Sequence, residues 1–195
     1  LAILEQRYRR QVALAERRRS TLEEVLRALA ADGVEAILLK GAALAETVYV
    51  DPALRPMGDL DLLIPETQLD VAERAVRALG FESPAPHEVQ EATRDHHRHY
   101  PRLIRSRGEP AIELHRHLVR ADTPLFFDIG GLWSRAREAR VDGVRTHVPA
   151  PGDLLLHACL AFFLDRYFFY PSFAARGELH DIALVVSDRR LESSW

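Results

Sequence analysis

The chain of 195 residues is poor in the features that point to disulfide bonds or membrane insertion. Its single cysteine, Cys159, excludes an intramolecular disulfide bond and fits a reducing compartment. The longest apolar run, residues 154–164, contains His157 and is about half as long as a membrane-spanning helix of ~20 residues. The first residues lack a basic stretch followed by an apolar one. We therefore expect no signal peptide, no membrane association and a cytoplasmic location.

The net charge is also small, and lysine is rare. The formal net charge is -3, so no global basic field favours bulk binding to nucleic acid. Lys40 is the only lysine among 26 lysine and arginine residues. Either this is chance, or the position needs a compact ammonium group that a planar guanidinium cannot replace.

The hydrophobic pattern predicts a mixed fold. Helical spacing of apolar residues predicts helices at 2–18, 21–31, 42–50, 67–80, 124–140, 151–166 and 177–187. Short apolar or alternating runs predict strands or extended segments at 34–39, 59–65, 99–105, 111–118 and 144–148, the third and fourth as a hairpin. The polar segment 82–95, with two prolines, predicts a loop. The three-arginine run at 17–19 predicts a solvated helix face.

This order of elements predicts an α/β (α+β) fold with a small mixed sheet flanked by helices. We expect N-terminal helices over 1–31 to pack on a core over 32–120. A helical C-terminal part over 121–195 follows.

Two aspartates stand on one predicted strand. Asp59 and Asp61 alternate with Leu60 and Leu62, so the two carboxylates lie on one face, with Cα atoms roughly 6.5 Å apart. Carboxylates this close raise each other's pKa unless a cation lies between them. Mg²⁺ binds in proteins through one or two carboxylates plus substrate phosphates. The pair therefore predicts a magnesium or manganese site.

A predicted strand, a Lys40-Gly41 turn and a predicted helix precede these aspartates. Gly41 allows close approach of a ligand to the backbone. The free amides of Gly41, Ala42 and Ala43 at the helix start predict a phosphate site, beside which Lys40 adds a positive charge.

Glu113 is the candidate third carboxylate. In the predicted strand 111–118, Glu113 and His115 share the polar face. If this strand lies beside the strand of Asp59, three carboxylates meet at one metal site. Glu113 is then a metal ligand, a general base for an acceptor hydroxyl, or both.

The residues just described resemble a known family. The block from Leu38 to Ile64 carries Leu-Lys-Gly, then a tyrosine, then Arg-Pro-Met-x-Asp-x-Asp-Leu-Leu. This pattern is similar to the uncharacterised nucleotidyltransferase family of the DNA polymerase β superfamily. A looser similarity extends to 112–115, 154–157 and 180–182, so the resemblance covers about residues 20–190.

The resemblance implies transfer of a nucleoside monophosphate from a nucleoside triphosphate (NTP), with ATP as the expected donor, to a hydroxyl on a protein, an RNA end or a small molecule. It makes 32–120 the catalytic core. It assigns metal binding and catalysis to Asp59, Asp61 and Glu113, and the phosphate-loop glycine to Gly41. Many superfamily members have Gly or Ser where this chain has Ala42, so phosphate binding would depend on backbone amides and Lys40.

Several interpretations stay open at this point. Arg55 either contacts the triphosphate or braces the loop before Asp59, and His115 is expected beside the nucleotide and metal. A binding module on the same fold, antitoxin-like or regulatory, is the alternative to an enzyme. It would use the aromatic region 162–170 as a protein interface. A zinc hydrolase built on the histidines at 96, 97, 99, 115 and 117 is a third hypothesis.

Overall fold

The computed structural model describes residues 2–119, 127–163 and 176–188. Within these ranges seven α-helices occur: α1 Ala2–Ala31, α2 Lys40–Thr47, α3 Leu69–Ala78, α4 His87–His96, α5 Ile129–Arg135, α6 Pro151–Leu160 and α7 Arg176–Ser187. The strands are β1 Ile37–Leu38, β2 Asp59–Leu63, β3 Ala111–His115, β4 Arg137–Val141 and β5 Val144–Val148. The predicted interface residues 164–170 lie outside the described residues.

The five strands form one mixed sheet in the order β3-β2-β1-β5-β4. Strands β2 and β3 are parallel, as are β1 and β5, whereas β1 pairs with β2 and β4 with β5 in antiparallel fashion. Leucine and isoleucine side chains from the central strands are fully buried, and helices cover the sheet. The predicted class, a small mixed sheet flanked by helices, is confirmed.

The N-terminal region is one helix, so the prediction of two helices was wrong. Ser20 and Thr21 resemble a helix cap, but α1 runs through them without interruption. Thr21 is buried, as are Leu22 and Val25 in the next turn. Because packing against the core continues across this point and no Pro or Gly breaks the chain, the local capping signal is overridden.

Strand β4 replaces the second half of a predicted helix. Of the predicted helix 124–140, the described residues 127–140 contain only α5 as a helix, and β4 then pairs with β5. The turn between them, Asp142-Gly143, has positive φ angles of 47° and 83°. A two-residue Asp-Gly turn of this kind matches the twist of a hairpin, and this signal outweighs the helical spacing of the preceding residues.

Segment 82–105 also differs from the prediction. The expected loop contains α4, whose residue Arg94 forms an ion pair with Glu73 of α3. Both prolines precede the helix, where proline is tolerated, and only one face of α4 needs to be buried. The expected hairpin strand 99–105 makes only isolated antiparallel bridges, at His99, Leu103 and Ile104.

Among the described residues, no helix combines the length and apolar character needed to cross a membrane.

Candidate functional site

The sheet brings the three predicted carboxylates together. Because β2 and β3 are parallel and in register, Asp61 pairs directly with Glu113, and Asp59 precedes Asp61 by two residues on the same strand. The premise that the strand of Glu113 adjoins that of the aspartates is therefore met.

The three carboxylates line one cleft of about 530 Å³. Lys40 and Gly41 line it from the start of α2, and Arg55 lines it from the loop before β2. Its remaining walls come from residues of three further regions: Arg98 and His99; Leu154, His157, Ala158 and Ala161; and Glu178 and Asp181. The catalytic, metal-binding and phosphate-binding candidates thus face a common space, except Ala42 and His115.

The turn from β1 to α2 has an unusual backbone at Lys40. Its φ is 44°, in the left-handed region that costs a residue with a side chain of order 1 kcal/mol. At this turn the Lys40 ammonium lies 2.5 Å from Asp61 Oδ1, and the Leu39 amide donates to the Asp61 carbonyl at 2.9 Å. The turn is thereby tied to β2 through both side chain and backbone.

Gly41 is closely packed against the loop before β2. A Cβ at this position would lie 3.1 Å from Met57 Sδ and 3.3 Å from Met57 Cβ, so no larger residue fits without a shift. The first turn of a helix leaves amides without helical acceptors, here those of Gly41 and Ala42. The Ala43 amide, by contrast, donates to the Leu39 carbonyl at 3.2 Å. Ala42 is buried in the core and is not among the residues that line the cleft.

Burial and charge act differently on the two aspartates. Burial, together with the charges of Asp61 and Glu113, raises the pKa of Asp59. Burial would also raise the pKa of Asp61, but the Lys40 charge and a hydrogen bond from His115 outweigh it and hold that pKa far below its usual value. Asp61, only 2% exposed, is therefore an ionised carboxylate inside the protein.

His115 lies behind the carboxylates and outside the cleft. It is fully buried, with Nε2 2.8 Å from Asp61 Oδ1 and 3.6 Å from Glu113 Oε2. The sequence predicted His115 beside the nucleotide and metal. Its ring lies next to the two candidate metal-binding carboxylates, but its side chain turns inward into the core and does not line the cleft.

Arg55 is anchored to the C-terminal helix. Its guanidinium contacts the buried Asp181 carboxylate on α7 through Nη2 at 2.8 Å, and Tyr49 donates to the same carboxylate at 2.7 Å. Arg55 thus braces the loop before Asp59, which is one of the two interpretations left open by the sequence, and it also lines the cleft.

The same loop is held from the other side by α1. Arg18 is buried and donates to the carbonyls of Arg55, at 3.4 Å, and Met57, at 3.1 Å. The expectation of a solvated arginine face is wrong for Arg18, because the loop carbonyls provide acceptors that the sequence does not reveal.

Helix α6 contributes His157 to the cleft wall. The helix is fixed at its first turn by Asp153, whose carboxylate accepts two hydrogen bonds from Arg135 at 2.9 and 2.8 Å. His157 lies one turn later and is 3% exposed. Burial and the nearby Lys40 charge lower its pKa to about 3, so its imidazole is neutral at neutral pH.

The described side chains include one group whose atoms could coordinate a metal ion together: Asp61, Glu113 and His115, with ligand atoms all within 4.8 Å of one another. Asp59 does not belong to this group, and His115 is its only histidine. His97 and His99 instead pack their rings edge to face with centroids 4.2 Å apart. The arrangement is thus carboxylate-rich and differs from the histidine cluster that the zinc hypothesis requires.

Sequence reasoning missed several residues that shape the site. It expected a solvated face for Arg18 and assigned no role to His157. Each lies more than 30 positions from the loop or carboxylate it serves, and arginine or histidine on an amphipathic helix carries no local sign of such a contact. The only available signal was the looser family similarity around 154–157 and 180–182.

Solved structures that share this fold include the following two proteins. An antigenic nucleotidyltransferase-like protein from Paracoccidioides brasiliensis is 16% identical, with a TM-score of 0.51 over 87% of this chain and 75% of that chain. The antibiotic-resistance factor ANT(2'')-Ia, whose structure is described as having substrate-regulated conformation dynamics, is 14% identical. Its TM-score is 0.53 over 90% of this chain and 82% of that chain. No curated protein matches the chain.

A comparison with protein-family profiles matches residues 1–195 to a single family described as uncharacterised nucleotidyltransferases. The match spans the cleft residues of the sheet and those of the helical wall alike. The fold of the two structural relatives agrees with it. The chain therefore belongs to the uncharacterised nucleotidyltransferase family.

Proposed function

We propose that this protein is a magnesium- or manganese-dependent enzyme that transfers a nucleoside monophosphate from an NTP to a hydroxyl group and releases pyrophosphate. One observation carries the proposal: the register that sets Asp61 beside Glu113, with Asp59 on the same strand, in a cleft that begins at the Lys40-Gly41 turn. Membership of a nucleotidyltransferase family supports the reaction class.

The donor set fits a divalent cation. Three carboxylates face the cleft, and burial together with the charges of Asp61 and Glu113 raises the pKa of Asp59, which a bound cation would lower again. Asp59, Asp61 and Glu113 would hold the ion, with His115 supporting the latter two. When bound, such an ion neutralises phosphate charge and stabilises the charge that develops during phosphoryl transfer.

The phosphates are assigned to the start of α2. The amides of Gly41 and Ala42 lie in the first helical turn and have no helical acceptor, and Lys40 adds a positive charge next to them. Arg55, which is already oriented by Asp181, supplies a second cation that lines the cleft. We propose ATP as the donor among the NTPs.

In the reaction, the acceptor oxygen attacks the α-phosphorus, and the bond from that phosphorus to the pyrophosphate oxygen breaks. The hydroxyl proton passes to a carboxylate. Glu113 is the candidate because it lines the cleft as an ionised carboxylate: burial opposes ionisation, but the nearby His115 imidazole holds its pKa below the usual value. The acceptor is a protein, an RNA end or a small molecule.

The proposal is tested with α-labelled NTPs and Mg²⁺ or Mn²⁺. In the double variant Asp59→Asn with Asp61→Asn we expect label transfer and pyrophosphate release to fall at least ~10³-fold while the fold is retained. Asp32→Asn with Glu35→Gln is the matched control, because it removes two exposed carboxylates outside the cleft.

Undiminished transfer by the Asp59/Asp61 variant would contradict the proposal. No turnover by the wild type with any NTP and metal, together with a stable protein partner, would favour the binding module instead.

A further inference from the structure

His157 is a cleft residue that the proposed reaction does not use. It projects from α6 into the wall of the cleft, one helical turn after the anchored Asp153. Its Nδ1 atom is buried and has no hydrogen-bond partner among the described residues. A buried polar atom without a partner costs about 1–3 kcal/mol, so such atoms in a cleft are commonly satisfied by a ligand.

The position of His157 is fixed by its neighbours on the helix. Leu154, three residues earlier, is buried in the core, and Asp153 is held by two hydrogen bonds from Arg135. The imidazole is therefore presented to the cleft by a rigid element and needs no rearrangement to meet a ligand.

The surroundings of His157 narrow down the ligand chemistry. The adjacent wall is formed by Ala158 and Ala161, which offer small apolar surfaces. Burial and the nearby positive charges of Lys40 and Arg98 lower the pKa of His157, so its imidazole is neutral. A neutral imidazole offers one donor and one acceptor, and a hydroxyl group likewise both donates and accepts.

We propose that His157 binds a hydroxyl group of the substrate, with the carbon skeleton that carries this group lying against Ala158 and Ala161. The inference rests on the proposed function and deepens it, because it assigns the α6 wall to hydroxyl recognition. The hydroxyl belongs either to the ribose of the NTP or to the acceptor, and the experiment below separates these two sources.

Three variants of the full chain are compared with the wild type. His157→Phe keeps the size of the side chain and removes both nitrogens, whereas His157→Asn keeps a polar group near the position of Nδ1. His147→Phe is the matched control. His147 also has a buried Nδ1 without a partner, but it lies on β5 at a depression outside the cleft.

The first measurement concerns the ribose. Affinities are measured by calorimetry, with Mn²⁺, for α,β-methylene ATP and its 2'-deoxy and 3'-deoxy counterparts. If His157 binds a ribose hydroxyl, the wild type prefers the ribonucleotide over one deoxy counterpart. In His157→Phe the ratio of the two affinities then falls about tenfold, and in His157→Asn it falls less.

The second measurement concerns the acceptor. Glycerol serves as the hydroxyl probe, and the ratio of glycerol–AMP ester to AMP formed from labelled ATP compares the alcohol with water as acceptors. If His157 binds the acceptor hydroxyl, His157→Phe lowers this ratio about tenfold with unchanged nucleotide affinity, and His157→Asn restores part of it.

The proposal is overturned if His157→Phe, folded as judged by circular dichroism, matches His147→Phe in both measurements. If His157→Phe does not fold, the same criterion applies to His157→Asn, whose smaller defect must still exceed that of the control. A wild-type protein that neither binds the nucleotide nor forms AMP defeats the proposed function and this inference together. Normal turnover with no His157 effect defeats only the inference.

Discussion

At the scale of single residues, the central feature of the site is the ion pair between Lys40 and the buried Asp61 carboxylate. Lys40 contacts Asp61 while its own backbone is held in the left-handed region. The ammonium contacts Asp61, one of the three carboxylates that line the cleft. We propose that the lone lysine of the chain exchanges this contact for a phosphate when the metal and the nucleotide bind.

This arrangement predicts the behaviour of Lys40→Met. Without metal, the variant should lose about 1–3 kcal/mol of its free energy of unfolding, because Asp61 remains buried with one cationic partner fewer. Added Mn²⁺ should then raise the melting temperature more in the variant than in the wild type. Thermal and urea unfolding with and without Mn²⁺ measure both effects.

Arg27→Met provides the control, because its ion pair with Glu23 is at the surface. A Lys40→Met protein as stable as the wild type, with the same response to Mn²⁺, would disprove this view of Lys40.

At the scale of elements, the loop before β2 is held between the first and last described helices. Arg18 of α1 binds its carbonyls, and Asp181 of α7 binds the side chain of Arg55. Since β2 begins two residues after Met57, these contacts fix how Asp59 enters the cleft.

Replacement of Arg18 tests the role of this support. Arg18→Met retains the apolar stem and loses three backbone contacts, to the carbonyls of Leu14, Arg55 and Met57. We expect a loss of about 2 kcal/mol in the free energy of unfolding and a smaller stabilisation by ATP with Mg²⁺. Urea unfolding and thermal shift provide the readouts.

Arg17→Met is the adjacent control, because Arg17 is exposed and makes one long contact, 3.4 Å to the Gly108 carbonyl. Equal effects of the two variants would show that the loop does not depend on Arg18.

The elements also show which features of the sequence are predictive. The alternation of Asp59 and Asp61 with leucines correctly predicts their common face, because period-two patterning is a property of the strand itself. The pairing of Asp61 with Glu113 depends on two strands that are distant in sequence. The sequence alone therefore predicted a shared site only if those two strands are neighbours in the sheet. The Asp142-Gly143 turn signalled the β4–β5 hairpin, but helical spacing before it was given more weight.

Long-range side-chain contacts were beyond sequence reasoning. The two aspartates, Lys40 and Gly41 were predicted because their signals are local in sequence: two residues on one strand, and a turn before a helix. Arg18, Asp181 and His157 act only through partners brought near by the fold. For the same reason, the inward turn of His115 could not be predicted from its place on a polar strand face.

At the scale of the whole molecule, folding keeps a neutral histidine inside a charged cleft. The pKa of His157 is lowered mainly by burial and by the charge of Lys40. His115 and Arg98 lower this pKa further, whereas Asp61 raises it. The unfolded chain binds a proton at His157 below about pH 6.5, whereas the folded protein does so only near pH 3. This contribution to stability is therefore present at neutral pH and is lost as the pH falls from 6.5 towards 3.

His157→Phe isolates this contribution. Between pH 7 and pH 4.5 the wild type should lose more free energy of unfolding than the variant. The difference is at most about 1.4 kcal/mol per pH unit, because a single proton is involved and the other titrating groups are common to both proteins. Urea unfolding at the two pH values measures the difference. A variant that loses as much as the wild type would mean that folding does not hold His157 neutral.

The central claim is that Asp59, Asp61 and Glu113 act together as one cation site. Titration of Mn²⁺ into the protein, followed by electron paramagnetic resonance of the free ion, tests it most directly. We predict that the wild type and the control Asp32→Asn with Glu35→Gln bind Mn²⁺ alike, while Asp59→Asn, Asp61→Asn and Glu113→Gln each weaken binding at least about tenfold. Equal Mn²⁺ affinity in the wild type and all three cleft variants would contradict the account.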